Sequence, residues 1–225
     1  VFYLTMEAFG KVHPSQRNYA QWDQMSESER NLHRNEIADI FIMTAERYEH
    51  NAIFLHPNPG SEEETLRLID LVREKSGDAY FLMIHGDATY GIPDGAHMAD
   101  FTLWLYEHLD EAKEQAQRQV DGALAWAERL AEHGGLDGFA LCSDYCLNTN
   151  PFLGPEMFAE VVAPYLAQLI AGQRELGFYV IKHTDGNIMP ILDQLAAAKP
   201  HALHSIDPQA GVDIAEVKRL YGDRV

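Results

Sequence analysis

Phe178-Tyr-Val-Ile-Lys-His183, Thr184-Asp-Gly-Asn187 and Ile188-Met-Pro-Ile-Leu-Asp-Gln-Leu195 read in turn as a β-branched and aromatic run, a polar turn and a helical pattern. Ile188, Ile191, Leu192 and Leu195 fall at helical spacing, so one face of that helix is apolar. The same unit recurs along the chain. Strand-like runs lie at Phe2 to Met6, Ala52 to His56, Tyr80 to His85, Gly138 to Asp144, Phe178 to His183 and Ala202 to Asp207. Strands alternating with helices are the signature of βαβ units and a parallel sheet. Ser26 with Glu29 and Ser61 with Glu64 are spaced as capping boxes, and Ile37, Ile40, Phe41 and Tyr48 line one face of the helix that follows the first. Phe158, Val161, Val162, Tyr165 and Leu169 do the same after the fourth strand, with Pro164 expected to kink that helix. The segment from about Ala96 to His133 is longer than a crossover needs and reads as two helices hinged near Leu109 and Asp110.

Six units in series point to an α/β fold, a TIM-type (β/α)8 barrel formed as a single domain over 1–225, with the 96–133 helices as an insertion. No G-x-G-x-x-G turn follows any strand, which weighs against an open doubly wound sheet. The chain opens in a strand-like run and stops where a helix leads on, so two C-terminal strands are expected to be missing from a truncated chain. The formal net charge of -18 comes from 35 acidic against 17 basic residues with no Lys/Arg cluster, which argues against nucleic-acid or anionic-membrane partners. No apolar run approaches the roughly 20 residues of a membrane helix. Cys142 and Cys146 are too few for a secreted disulfide framework, so a cytoplasmic setting is expected.

Chemistry is expected where strands end. His56, His85 with Asp87, Asp144, and His183 with Asp185 each follow or close a strand run, and His204-Ser-Ile-Asp207 closes the last. In a parallel barrel all such ends open on one face, where imidazoles and carboxylates can hold a divalent metal or move protons near neutral pH. Strand-end loops are polar in any case, and Asp207-Pro208 on its own reads as a plain turn. Lys182, His183 and Asp185 form the densest group, followed by Gly186 and Asn187, which allow a tight turn. Cys142 lies within a strand and reads as a small buried apolar group, with a nucleophilic Cys146 the weaker alternative.

The stretch from Gly138 to Val225 carries Asp144, Pro151-Phe-Leu-Gly-Pro-Glu-Met-Phe158, Lys182-His-Thr-Asp-Gly-Asn187, Ser205-Ile-Asp-Pro208 and Gly211-Val-Asp-Ile214. Together these resemble the uroporphyrinogen decarboxylase-like (URO-D) superfamily, with the N-terminal half fitting more loosely. The superfamily holds the haem-pathway decarboxylase of porphyrin biosynthesis and zinc-dependent methyltransferases that serve corrinoid proteins, and both imply a barrel. The decarboxylases carry Arg-Gln-Ala-Gly-Arg at the end of the first strand and an Asp at the end of the second. Here the corresponding stretches read Met6-Glu-Ala-Phe-Gly10 and Phe54-Leu-His56, without the arginines that a polycarboxylate needs. The methyltransferases hold zinc with His-x-Cys and a later Cys. Here that pair is His183-Thr-Asp185, a harder site whose third ligand would lie beyond Val225. A second methyltransferase zinc pattern is matched in spacing by Glu49, Glu64 and His85, but Glu49 precedes a strand at the opposite end from His85 and Glu64 serves a helix cap.

The resemblance therefore implies an enzyme, a corrinoid-linked methyltransferase. It would move a methyl group between a small donor, such as a methyl ether or methylamine, and a corrinoid protein or thiol. Its metal, zinc by resemblance, would sit on His183 and Asp185, and the cobalamin would be carried by a partner protein. His85, Asp144, His183 and Asp185 are the expected catalytic residues, and His56, Asp87, Lys182, Asn187 and Asp207 the expected substrate contacts. Self-association as a homodimer is compatible with this reading. The alternatives are a uroporphyrinogen decarboxylase-type carboxy-lyase and a non-catalytic corrinoid- or tetrapyrrole-binding module.

Overall fold

Ser26 and Ser61 each stand one residue ahead of a helix and accept a hydrogen bond from the amide three residues on, satisfying a donor that the helix cannot. In the computed structural model, which describes residues 2–17 and 21–225, these caps start α2 (Glu27–Arg47) and α3 (Glu62–Ser76). The first is a full capping box, with Glu29 returning a hydrogen bond to the Ser26 amide. The second is half of one. Glu64 turns instead to Arg34 and accepts two parallel hydrogen bonds of 2.7 and 2.6 Å. A buried guanidinium outcompetes an exposed amide because the forked geometry satisfies both carboxylate oxygens at once.

Ahead of these lies α1 (Phe2–Phe9), where a strand is expected from the aromatic run. The run has no period-two alternation, and Met6-Glu-Ala8 are strong helix formers, so composition misled where periodicity was silent. After α2 the chain continues as β1 (Ala52–Phe54), α3 and β2 (Phe81–His85). The 96–133 segment is two helices as expected, α4 (Met98–Glu107) and α5 (Leu109–His133), broken at His108. Then come β3 (Gly138–Leu141), α6 (Pro155–Val161) and α7 (Ala163–Glu175). The kink expected from Pro164 is a complete break at Val162, because proline in the second position of α7 can neither donate to α6 nor fit its last turn. The chain closes with β4 (Tyr179–His183), α8 (Leu192–Ala197), β5 (Ala202–His204) and α9 (Ile214–Tyr221).

The five strands form one sheet in the order β1-β2-β3-β4-β5, and β1 pairs with β2, and β4 with β5, in parallel. Strand order that follows the chain without reversal belongs to a singly wound barrel wall, whereas a doubly wound sheet reverses at its switch point. Each observed strand is shorter than its apolar run, so most of the expected polar residues close a strand or lie in the loop just beyond it.

The chain divides into two compact units, Val1–Ile84 with Glu132–Gly138, and His85–Ala131 with Phe139–Val225. In the first, α2 buries Ile37, Ile40, Phe41 and Ala45, and α3 buries Leu68, Ile69 and Val72. In the second, the apolar faces of α6, α7 and α8 bury Phe158, Leu166, Leu169, Ile170, Leu192 and Leu195, while Phe139 meets Phe178 edge-on at 4.8 Å. No helix among the described residues is long and apolar enough to cross a membrane.

The Arg34–Glu64 pair is buried on both sides, with side chains 8% exposed, and Trp22 lies 5.2 Å from the guanidinium. Arg34→Leu strands the Glu64 carboxylate with only Arg67, 3.8 Å away, as a partner. A loss of about 3–5 kcal/mol is expected from urea unfolding. A loss under about 1 kcal/mol would place the pair with ordinary surface ion pairs.

Candidate functional site

The second unit brings the ends of β2, β3 and β4 together around Lys182. This lysine is fully buried, and its ammonium spends its three protons on Asp87 Oδ2 at 2.8 Å, Ser143 O at 2.9 Å and Leu141 O at 3.2 Å. The Tyr145 ring lies 4.1 Å beneath the charge. Asp87 is equally committed: Oδ2 also accepts from the Ser143 amide at 2.9 Å, and Oδ1 accepts from the amide and hydroxyl of Thr89 at 3.0 and 2.6 Å. The Thr89 and Tyr145 hydroxyls meet at 2.5 Å, and Thr184 accepts from the Tyr145 amide at 2.9 Å. A lysine that carries no side chain to solvent and a carboxylate whose side chain is 9% exposed form a cross-brace between three strand ends.

Two glycines let the backbones approach this brace. A Cβ on Gly86, just past β2, would lie 2.4 Å from the Phe139 ring. Gly186, at φ +84, would place one 2.4 Å from the Cys146 carbonyl.

Above the brace lie Asp144, His183 and Asp185, whose ligand atoms all fall within 4.8 Å of one another. His183 Nε2 is 3.5 Å from Asp144 Oδ1 and 3.8 Å from Asp185 Oδ1, beyond ordinary hydrogen-bond reach of either. Ligands at 2.0–2.2 Å in a tetrahedral shell stand about 3.4 Å apart, so the spacing suits a small divalent cation. Each carboxylate is anchored: the Asp185 amide donates to Asp144 Oδ1 at 3.0 Å, and the Ser205 hydroxyl donates to Asp185 Oδ1 at 2.5 Å. On its other edge, His183 Nδ1 is 2.8 Å from His204 Nδ1.

The electrostatics divide the site into two layers. Burial pushes the Asp87 carboxyl up, but the Lys182 charge and the converging donors outweigh it and hold the group below the usual carboxylate range. Burial draws the His183 imidazole down against the opposing pull of Asp185 and Asp144, and draws His85 down against Asp87, so both rings are neutral at neutral pH. His85 also feels the charge of Asp87, which places it electrically beside the brace. Burial raises the Cys142 thiol to about 11 and the Cys146 thiol to about 12. Neither is a thiolate at neutral pH; Cys146 is buried, whereas Cys142, expected to be buried within a strand, lies just past β3 and is partly exposed.

Of the residues expected from sequence, His85, Asp87, Asp144, Lys182, His183 and Asp185 come together in the second unit. Asp87 and Lys182, expected at the substrate, turn inward to each other. Asn187 donates to the Thr149 carbonyl at 2.9 Å and accepts from the Met189 amide at 3.2 Å, and Asp207 accepts from the Gln209 amide at 2.8 Å; both shape turns. His56 belongs to the first unit, its ring 4.7 Å from that of Phe54. In that unit Glu64, one member of the alternative metal pattern, is taken up by Arg34. Sequence reasoning passed over Thr89 and Tyr145, and it named the strand end His204-Ser-Ile-Asp207 without giving His204 or Ser205 a role. Register was the available signal for His204, since β4 and β5 pair His183 directly with His204.

The family model for uroporphyrinogen decarboxylase (URO-D) matches residues 88–225, which include Asp144, Lys182, His183, Asp185 and His204. Among solved structures, a methyltransferase from Methanosarcina mazei shares the fold with a TM-score of 0.70 at 16% identity, over 98% of this chain and 72% of that chain. No curated protein matches the chain.

Lys182→Met leaves Asp87 buried without its cation and is expected to cost about 3–5 kcal/mol in urea unfolding. The pH dependence follows from Asp87. Its folded pKa lies below the unfolded value, so the stabilisation is whole above the unfolded value near pH 4 and is lost as pH falls through the folded one. Urea midpoints of the wild type and Asp87→Asn, measured from about pH 7 to pH 3, should therefore differ most at neutral pH and converge in acid. A gap that stays constant across that range would mean that folding does not shift the Asp87 carboxyl, and a wild type that gains on the variant in acid would mean that the group is protonated in the fold.

Proposed function

The chain belongs to the uroporphyrinogen decarboxylase (URO-D) family, and from that premise we propose that it is a methyltransferase, moving a methyl group between a small donor and a corrinoid protein or thiol. The observation that carries the reading is the charge of the site. A polycarboxylate needs free cations, yet Lys182, the cation that the strand ends bring here, is buried and neutralised by Asp87. The groups left facing outward are Asp144 and Asp185, with side chains 46% and 59% exposed. A mouth of carboxylates repels a polyanionic substrate and suits a cation or a neutral donor.

Asp144, His183 and Asp185 fit a divalent metal in spacing and in donor type, two carboxylates and an imidazole being harder than a thiolate set. Zinc is the metal that the resemblance suggests. When bound, it would act as a Lewis acid toward the heteroatom that carries or receives the methyl group. The protein's own part is orientation and proton handling. The brace under Asp87 and Lys182 fixes the Ser143 amide, and with it the approach of Asp144. His85, neutral at neutral pH, can take a proton from solvent and pass it to the donor's heteroatom as the bond from that atom to the methyl carbon breaks. The cobalamin of a partner corrinoid protein is the proposed acceptor.

The test combines metal analysis of the purified chain with an absorbance assay for methylcobalamin formation, on wild type and His183→Ala. Bound metal and cobalamin methylation are expected in the wild type. His183→Ala should lose more metal affinity than the roughly 10–100-fold that removing an outer partner costs. Release of carbon dioxide from uroporphyrinogen, or corrinoid binding without turnover that survives His183→Ala, would overturn the reading.

A further inference from the structure

We propose that His204 is a positioning residue: it accepts the Nδ1 proton of His183 and so leaves the His183 Nε2 lone pair facing Asp144 and Asp185. The inference rests on the metal reading of that triad and assigns a role to a residue outside it. Its ground is a distance. Two imidazole Nδ1 atoms stand 2.8 Å apart, on neighbouring strands whose register pairs their Cα atoms directly. Two bare nitrogens at that separation repel, and so do two N–H groups, so between two neutral rings one proton lies on the line joining them.

Two assignments satisfy that rule. If His204 held the proton, His183 Nε2 would carry the other hydrogen of its own ring and point it at carboxylates. Those carboxylates stand at 3.5 and 3.8 Å, too far to accept it well. If His183 holds the proton at Nδ1, Nε2 is a bare lone pair aimed between two anionic oxygens, which is the state a metal ligand needs. The second assignment accounts for the wide spacing on one edge of the ring and the short one on the other.

The neighbouring Ser205 supports the same reading. It lies at φ +66, a left-handed conformation uncommon for serine, and from there its hydroxyl donates to Asp185 Oδ1 at 2.5 Å. Consecutive residues at the end of β5 thus reach across to two members of the triad, one accepting from His183 and the other donating to Asp185. This is the outer shell by which a protein fixes the orientation and proton state of its ligands.

The test reads the tautomer itself. Two-bond proton–nitrogen spectra of histidine-labelled chain at about pH 8, above the ordinary imidazole range, are compared for the wild type, His204→Leu and His204→Asn, with His183→Gln assigning the signal. Zinc affinity is measured on the same proteins by chelator competition. The asparagine amide oxygen can stand near the Nδ1 position and still accept. The wild type should show His183 protonated at Nδ1. His204→Leu should mix the tautomers and weaken zinc binding about 10–100-fold, and His204→Asn should recover most of both. If zinc binds the wild type and His204→Leu equally and the tautomer is unchanged, the role of His204 is refuted while the metal site stands. If the wild type binds no zinc, the metal reading fails; the metal-free spectra still decide the pairing, and His183 protonated at Nε2 overturns it.

Discussion

A lysine ammonium without solvent exposure has three protons to place, and the position of each decides where a strand ends. Lys182 places them on Asp87 after β2 and on Leu141 and Ser143 at the end of β3, while sitting itself in β4. Isolated, the charge would be strongly unfavourable in such surroundings; paired and fully hydrogen-bonded, it is a fixed node. Replacing the pair by apolar side chains could be neutral for stability, but it would release the loop carrying Ser143 and Asp144. The brace therefore matters less for the amount of stability than for specifying one arrangement of three loops.

The layering follows from that node. Beneath, Thr89 and Thr184 hold the hydroxyl and the amide of Tyr145, whose ring lies against the Lys182 charge. Above, Asp144, His183 and Asp185 are anchored on one side and open on the other. Strand alternation produces the split within β4 itself. Neighbouring residues point to opposite faces, so Lys182 is buried where His183 is half-exposed. The same sequence run thus supplies both the support and the chemistry.

Much of this was legible in the sequence, and the limits are physical. The strands of Phe178 to His183 and Tyr80 to His85 were legible because β-branched and aromatic residues stood together between clear helical patterns. The break at His108 was legible because no single crossover needs so long a segment. The first helix was not, since an aromatic run without alternation carries no period to distinguish strand from helix. Asp144, His183 and Asp185 could be named because parallel strands share one open end. Their spacing could not, because it depends on the lysine brace. The inward turn of Asp87 and Lys182 was likewise hidden: sequence shows that two charges lie near strand ends but not that they neutralise each other. His204 required the register of β4 against β5, which follows from the pairing and not from either strand alone.

Imidazole nitrogen and carboxylate oxygen, and not thiolate sulfur, are the proposed metal ligands at the ends of β3 and β4. X-ray absorption at the zinc edge of the zinc-loaded chain tests it directly. The account predicts a shell of nitrogen and oxygen neighbours at about 2.0–2.2 Å with the outer signature of a single imidazole. A sulfur neighbour at about 2.3 Å would place the metal on Cys142 or Cys146 and contradict it.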